Sequence, residues 1–393
     1  MVLFFADDWS GYLYFVHALF CLMWRATMTV PTYRSIGVRP LINCRGTYTI
    51  ISGSLMLPEV CEAMMEAAKA YVHLDELMDA VGARIAELMQ CEWGLVTNGC
   101  AAALTQVTSA CVAGDDPDKI KQLPDTTGMK NRVLYQPGHL HIYTHAIRAA
   151  GVEMVEVEDH DALSLAVDDR TAMFAFFGDQ TDHSDIPLED VVAICHRKGV
   201  PVFVDAAAER PDVPNAYLQA GADVVAYSGG KCLRGPQSSG LVLGRKDILQ
   251  AAFANGAPHH SLGRAMKAGK EEVMGLLAAV EKWVQRDHDA EWAEWEQWLQ
   301  VIGDAVTDLP SVTRRVRDPG RSNVAPILEV HWDQTVLPIA PEEVQQQLSD
   351  GDPRIEMFTH DNGVEVMPYM MEQGEDVIVA RRLREVLEGI GDM

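Results

Sequence analysis

Lys231 ends the string Ser228-Gly229-Gly230-Lys231, which directly follows an apolar run that reads as a buried strand. A free ammonium at the end of such a strand carries a large desolvation cost. The cost falls if the amine is held in a Schiff base, and that bond makes lysine a covalent catalyst with a carbonyl cofactor. A surface turn that holds a lysine gives the same string, so the tetrapeptide alone leaves both readings open. Asp205 shifts the balance. It closes the apolar run Pro201–Val204, 26 residues before Lys231, which is room for one helix and one strand. Both side chains would then emerge at the carboxyl edge of one sheet, where α/β proteins bind ligands. A carboxylate there can keep a cofactor's pyridine nitrogen protonated, so that the ring withdraws electrons. A strand-end Asp can equally cap the next helix.

Two further features lie at predicted strand ends. Thr97-Asn98-Gly99-Cys100-Ala101 is a turn of small residues leading into a helix. The free N–H groups of Asn98, Gly99 and Cys100 could cradle a phosphate, with the Ser228 hydroxyl beside them. An ordinary N-cap by Asn98 would look the same. Gly138-His139-Leu140-His141 follows the run Arg132–Tyr135. An imidazole here could stack on a pyridine ring or carry protons, and His139 is the expected stacking residue. Arg234, next to the lysine turn, could hold a carboxylate or phosphate bidentately, or form a structural salt bridge.

The elements that must position these groups alternate. Strands are predicted at Gly94–Val96, Arg132–Tyr135, Glu153–Val157, Thr171–Phe177, Pro201–Val204, Asp223–Tyr227 and Gly240–Leu243. Helices are predicted at Ala101–Val112, Ile142–Ala150 and Leu188–Arg197, the last stopped by Gly199. Apolar strands interleaved with helices mean a mostly parallel sheet covered on both faces. One long helical region is expected from Gly263 to Leu309, with Trp283, Trp292, Trp295 and Trp298 as packing residues. Strands at Val324–Val330 and Gly363–Val366 and a helix at Val377–Leu387 form a smaller α+β unit, joined by Tyr33–Met56. The expected division is a large domain at 58–309, a small domain at 310–393 and an N-terminal segment at 28–57 packed on the small one.

At 393 residues, 48% apolar and 23% charged, the chain has ordinary globular composition. Its 57 acidic against 32 basic residues give a net charge of −25, which repels phosphate backbones, so nucleic acid is not an expected partner. Eight cysteines without CxxC pairs or zinc-like spacing argue against a disulfide framework or a metal site and for the reducing cytoplasm. The apolar run Tyr12–Trp24 follows Asp7 and Asp8, has no basic residue before it and is too short to cross a bilayer. Residues 1–27 read as an extension produced by an early start codon, with Met28 as the true start and no membrane anchor.

The stretches VFVDAAAERPD, GADVVAYSGGKCLRGPQSSGLVLGRKD and GRAMKAGKEE closely resemble the selenocysteine synthase-like family of fold-type-I pyridoxal phosphate (PLP) enzymes. That family includes L-seryl-tRNA(Sec) selenium transferase and D-glucosaminate-6-phosphate ammonia-lyase. The resemblance runs from about Tyr33 to the C-terminus and is most specific from Val202 to Glu272. It implies a mostly parallel seven-stranded sheet with a smaller α+β C-terminal domain. It also implies Lys231 as the Schiff-base lysine, Asp205 on the ring nitrogen and Ser228 on the phosphate. Arg264, Lys267 and Lys270 are implied to lie near the site, within reach of a neighbouring subunit's phosphate in a homodimer or larger homo-oligomer. Many relatives carry His two or three residues after the aspartate, where this chain has Ala207 and Ala208, and this adds weight to His139. No basic RNA-binding segment is present, so a small amino acid or amino sugar acid is the expected substrate. The expected reaction is α,β-elimination with release of ammonia. Racemisation, aldol cleavage and selenium-transferase-like β-replacement stay open.

Overall fold

The computed structural model describes residues 30–140 and 142–389. The apolar run Tyr12–Trp24, Met28 and His141 lie outside the described residues. In chain order the strands are β1 (Leu41–Asn43), β2 (Trp93–Thr97), β3 (Arg132–Tyr135), β4 (Glu153–Glu156), β5 (Thr171–Phe177), β6 (Val202–Asp205), β7 (Val224–Ser228) and β8 (Gly240–Gly244). They continue with β9 (Thr313–Arg317), β10 (Ile327–His331), β11 (Arg354–Glu356), β12 (Phe358–His360) and β13 (Gly363–Val366). Strands β2 to β8 form one seven-stranded sheet in the order β2-β8-β7-β6-β5-β3-β4. Only β8 runs against its neighbours, so the sheet is mostly parallel, as the alternation of elements predicts.

Every residue of β5 is buried, the mark of a strand covered on both faces. Phe174, Phe176 and Phe177 are each at most 1% exposed, and truncating any one to Ala would cost about 3–5 kcal/mol. Helix α1 (Cys100–Ala113) carries small residues and hydroxyls, and nearly all of it is buried. Its buried hydroxyls are all satisfied: Thr108 donates to the Leu104 carbonyl at 2.6 Å, Ser109 to the Thr105 carbonyl at 2.8 Å and Thr105 to the Ala146 carbonyl at 2.7 Å.

A second core holds Ile42, Leu299, Leu328, Val364 and Leu383. It belongs to a four-stranded sheet, β12-β13-β10-β9, and a two-stranded one, β1-β11. The pairing of β1 with β11 ties the N-terminal segment to the small unit. The single helical region expected after Gly263 is two helices, α2 (Lys270–Trp283) and α3 (His288–Asp304). The break has a local cause: the Asp287 side chain accepts from the Ala290 N–H at 3.0 Å and starts a new helix. Trp283 and Trp295 are buried in the large core, with the Trp283 indole N–H donating to the Pro211 carbonyl at 2.9 Å.

Candidate active site

Because β2, β5, β6 and β7 run the same way, their last residues reach one edge of the sheet. Asp205 ends β6 with Phe177 of β5 and Ala226 of β7 as register neighbours. Ser228 ends β7, and Thr97 ends β2. Both lie opposite Gly240, the first residue of the reversed strand β8. Lys231 therefore sits on a loop whose two ends are anchored at this edge. Gly229 N–H donates to the Ser239 carbonyl at 2.9 Å, Gly235 N–H to the Gly229 carbonyl at 2.8 Å, and Arg234 N–H to the Lys231 carbonyl at 2.9 Å.

Lys231 and Asp205 line one cavity of about 290 Å³. Phe177, Asp179, Glu209 and the three alanines Ala206–Ala208 add to its sheet side. The far side is built by Thr47–Thr49, Tyr143, Ser322, Asn323 and Tyr369. The Tyr369 hydroxyl lies 2.9 Å from Thr47 Oγ1, joining two parts of that side.

Asp205 is 9% exposed, and its Oδ1 accepts from the Ala207 N–H at 3.0 Å and the Cys100 thiol at 3.2 Å. Cys100 is the first residue of α1, so the predicted phosphate turn and the aspartate share a hydrogen bond. Burial, with the charge of Asp205 beside it, holds the Cys100 thiol well above its ordinary pKa, and it stays a donor. Glu209, four residues after Asp205, is also 9% exposed. Burial pushes its carboxyl up to about 7, against a lowering hydrogen bond from Tyr217.

The structure brings Lys231, Asp205, Ala207 and Ala208 onto the cavity wall. It places Asn98, Gly99, Cys100 and Ser228 at the same sheet edge, but these four are not among the residues lining the cavity. Gly99 has φ 81° just before α1, and the Asn98 side chain donates to the Lys267 carbonyl at 2.8 Å.

One expectation needs correcting, and for Arg234 the structure shows the salt bridge rather than a free ligand-binding guanidinium. His139 is fully buried and does not line the cavity. Its Nδ1 accepts from the Phe177 N–H at 3.0 Å, its Nε2 is 2.9 Å from Ser184 Oγ, and its ring packs edge-on against Phe176 at 4.8 Å. Tyr143 is the aromatic of that loop that reaches the cavity. Arg234 spends its guanidinium on the Leu55 carbonyl at 2.9 Å and on Glu372 at 2.8 Å, so it ties the lysine loop to two distant segments. Arg264 and Lys267 are exposed, and neither lines the Lys231 cavity. Glu209, Tyr143, Tyr369 and the Thr47–Thr49 segment were not singled out in sequence, although Glu209 stands within the stretch that carries the family resemblance.

The family model for Cys/Met metabolism PLP-dependent enzymes matches residues 66–270. The chain is 28% identical to D-glucosaminate-6-phosphate ammonia lyase of Salmonella typhimurium, over 93% of this chain and all of that one. A solved structure of D-glucosaminate-6-phosphate ammonia-lyase superposes with a TM-score of 0.81, covering 92% of this chain and 99% of that chain. A 5′-C-glycyluridine monooxygenase-decarboxylase from a Streptomyces species is 30% identical over 90% of this chain and 92% of its own. L-seryl-tRNA(Sec) selenium transferase of Desulfovibrio desulfuricans is 25% identical, over 62% of this chain and 54% of its own.

Proposed function

The chain belongs to the Cys/Met metabolism PLP-dependent enzyme family, and from that membership we propose that it is a lyase that eliminates a β-substituent from an amino acid or amino sugar acid and releases ammonia. The observation that carries the reading is the meeting of Lys231 and Asp205 on one cavity at the carboxyl edge of the sheet. Likeness along the whole length of an ammonia lyase gives the reaction class its support.

The residues present fit PLP. Lys231 would hold its aldehyde carbon, and the buried carboxylate of Asp205 would pair with its ring nitrogen. The start of α1 at Asn98, Gly99 and Cys100, with Ser228, would take the phosphate. Gly240 opens that corner: a Cβ there would lie 2.6 Å from Thr97 Oγ1 and 2.7 Å from the Gly99 carbonyl carbon. When bound, PLP withdraws electrons from the substrate's Cα and so acidifies its proton.

The chain's own residues do the rest. Cys100 and the Ala207 N–H fix the Asp205 carboxylate. The Lys231 amine, once freed by the incoming substrate, is the base placed to take the Cα proton. Phe177 and Tyr369 give the cavity apolar surface that limits water.

A homo-oligomer of this chain fits the exposed apolar side chains of the N-terminal half, among them Ile50, Tyr71, Val72 and Ile142. In such an assembly the exposed Arg264 and Lys267 would serve a neighbouring subunit's site. All seven described cysteines are free, which accords with the cytoplasm. Among the described residues no helix is long and apolar enough to cross a membrane.

Borohydride reduction of the loaded wild type followed by peptide mapping should leave a pyridoxyl group on Lys231. The Lys231→Ala protein should carry none, and a label on another lysine would sink the assignment. A screen for ammonia and 2-keto acid across amino acids and phosphorylated amino sugar acids tests the reaction. The Streptomyces relative favours a second reading, oxidative decarboxylation, which oxygen uptake and carbon dioxide release in the same screen would reveal. Selenium transfer to a tRNA is disfavoured by the net charge of −25, and failure to shift tRNA at physiological salt is the expected result.

A further inference from the structure

We infer that Glu209 is the acid that gives a proton to the substrate's departing oxygen. This rests on the elimination reading above and adds the group that removes the leaving hydroxyl.

Glu209 stands on the turn after β6, its amide donating to the Ala206 carbonyl at 3.0 Å. It lines the cavity that Lys231 and Asp205 line. Its Oε2 accepts from the Tyr217 hydroxyl at 2.7 Å. Its Oε1 is buried and has no hydrogen-bond partner among the described residues. An ionised carboxylate with an oxygen so placed is costly. A protonated carboxyl avoids that cost and holds a proton that it can give up. The fold leaves space for this group. At Gly178, the residue after β5, a Cβ would lie 2.1 Å from Oε1 and 2.6 Å from the Tyr217 hydroxyl.

The charges around the carboxyl agree. Asp179 and Asp205 oppose a further negative charge, while Tyr217 and Arg321 favour one, and burial outweighs each of them. Arg321 is itself paired with Asp182 at 2.9 Å, and Lys231 stands on the same cavity wall.

The step balances as follows. Lys231 takes the Cα proton, and the electron pair of that C–H bond becomes the Cα–Cβ double bond. The Cβ–O bond breaks with its pair going to oxygen, which takes the Glu209 proton and leaves as water. Glu209 remains as a carboxylate with Tyr217 still donating to it, and solvent returns the proton. The unsaturated amine then takes up water and yields ammonia and a 2-keto acid.

Glu209→Gln keeps the shape and the Tyr217 hydrogen bond but has no proton to give. The experiment compares the 3-hydroxy substrate found by the screen with its analogue bearing chlorine in place of that hydroxyl, because chloride leaves without a proton. The variant should keep its bound cofactor and exchange the Cα proton with deuterated water within about twofold of wild type. It should lose ammonia release from the hydroxy substrate by about 100-fold or more and keep release from the chloro analogue. Equal loss with both leaving groups, or loss with neither, would overturn the inference. Tyr217→Phe removes a hydrogen bond that favours the Glu209 anion, so the high-pH limb of hydroxyl elimination should move to higher pH. An unmoved limb would also count against it. A readout without turnover is the infrared carbonyl band of a protonated carboxyl at pH 6, present in wild type and missing in Glu209→Gln. Absence of that band from wild type would overturn the assignment. If wild-type enzyme eliminates from neither compound, the lyase reading fails and takes the role of Glu209 with it, a result distinct from any variant outcome.

Discussion

Asp205 and Glu209 are two acids on one turn that the fold treats in opposite ways. Asp205 receives two donors on one oxygen, whereas one oxygen of Glu209 receives none among the described residues. The difference has a consequence for stability. The folded chain keeps the Glu209 proton up to about pH 7, while the unfolded chain releases it near the ordinary 4.5. Between those values the folded state binds more protons, so stability falls as pH rises through the window. The full penalty is reached above pH 7 and is on the order of 3 kcal/mol. Glu209→Gln removes it. Calorimetry of the purified variant should show a higher unfolding midpoint than wild type at pH 8 and little difference at pH 4.5, and an equal gain at both would contradict the shifted titration. Lys231 and Asp205 are legible in sequence because each follows an apolar strand, a place where a charge needs a reason. Glu209 is not legible, because its environment comes from Gly178 and Tyr217, which no local pattern brings together. His139 misleads for the same reason: Phe176 and Phe177, which enclose it, arrive on another strand.

The elements show where sequence pattern is strong. The seven strands of the large sheet lie within a residue or two of the predicted runs, most plainly β5 and β6, because a strand buried on both faces is apolar throughout. β9 gives no such signal. Its residues are Thr-Arg-Arg-Val-Arg and mostly exposed, and it is a strand because β10 offers a partner. The reversal of β8 is equally silent in sequence, yet it sets Gly240 between Thr97 and Ser228 at the corner proposed for the phosphate. Gly240→Ala should therefore leave the sheet folded by circular dichroism while displacing the Asn98–Cys100 turn. PLP affinity should fall at least about tenfold, measured by equilibrium dialysis. Unchanged affinity would mean that the phosphate sits elsewhere.

Across the whole molecule, the far side of the cavity comes from residues 47–49, 143, 322–323 and 369. These positions are scattered along the chain, so no spacing rule could have collected them, and they are where substrate choice should reside. The exposed Ile50, Tyr71, Val72 and Ile142 bear on the same question, since Ile142 adjoins the cavity residue Tyr143. Placing charges there, as in Tyr71→Asp with Val72→Asp, should lower the sedimentation coefficient toward that of a single chain and weaken PLP retention. A variant that sediments like wild type would remove this face from the assembly.

The closed loop that bears Lys231 has one more consequence. Its amides at 229, 234 and 235 bond within the loop, the first of them to Ser239 just before β8, and its flanking strands are buried. Their hydrogens should thus exchange with solvent as slowly as those of the central strands, opening only when the sheet itself opens. On heating, the cofactor's absorbance and the sheet's circular dichroism should then disappear at the same temperature, so that the colour of the protein reports the integrity of its core.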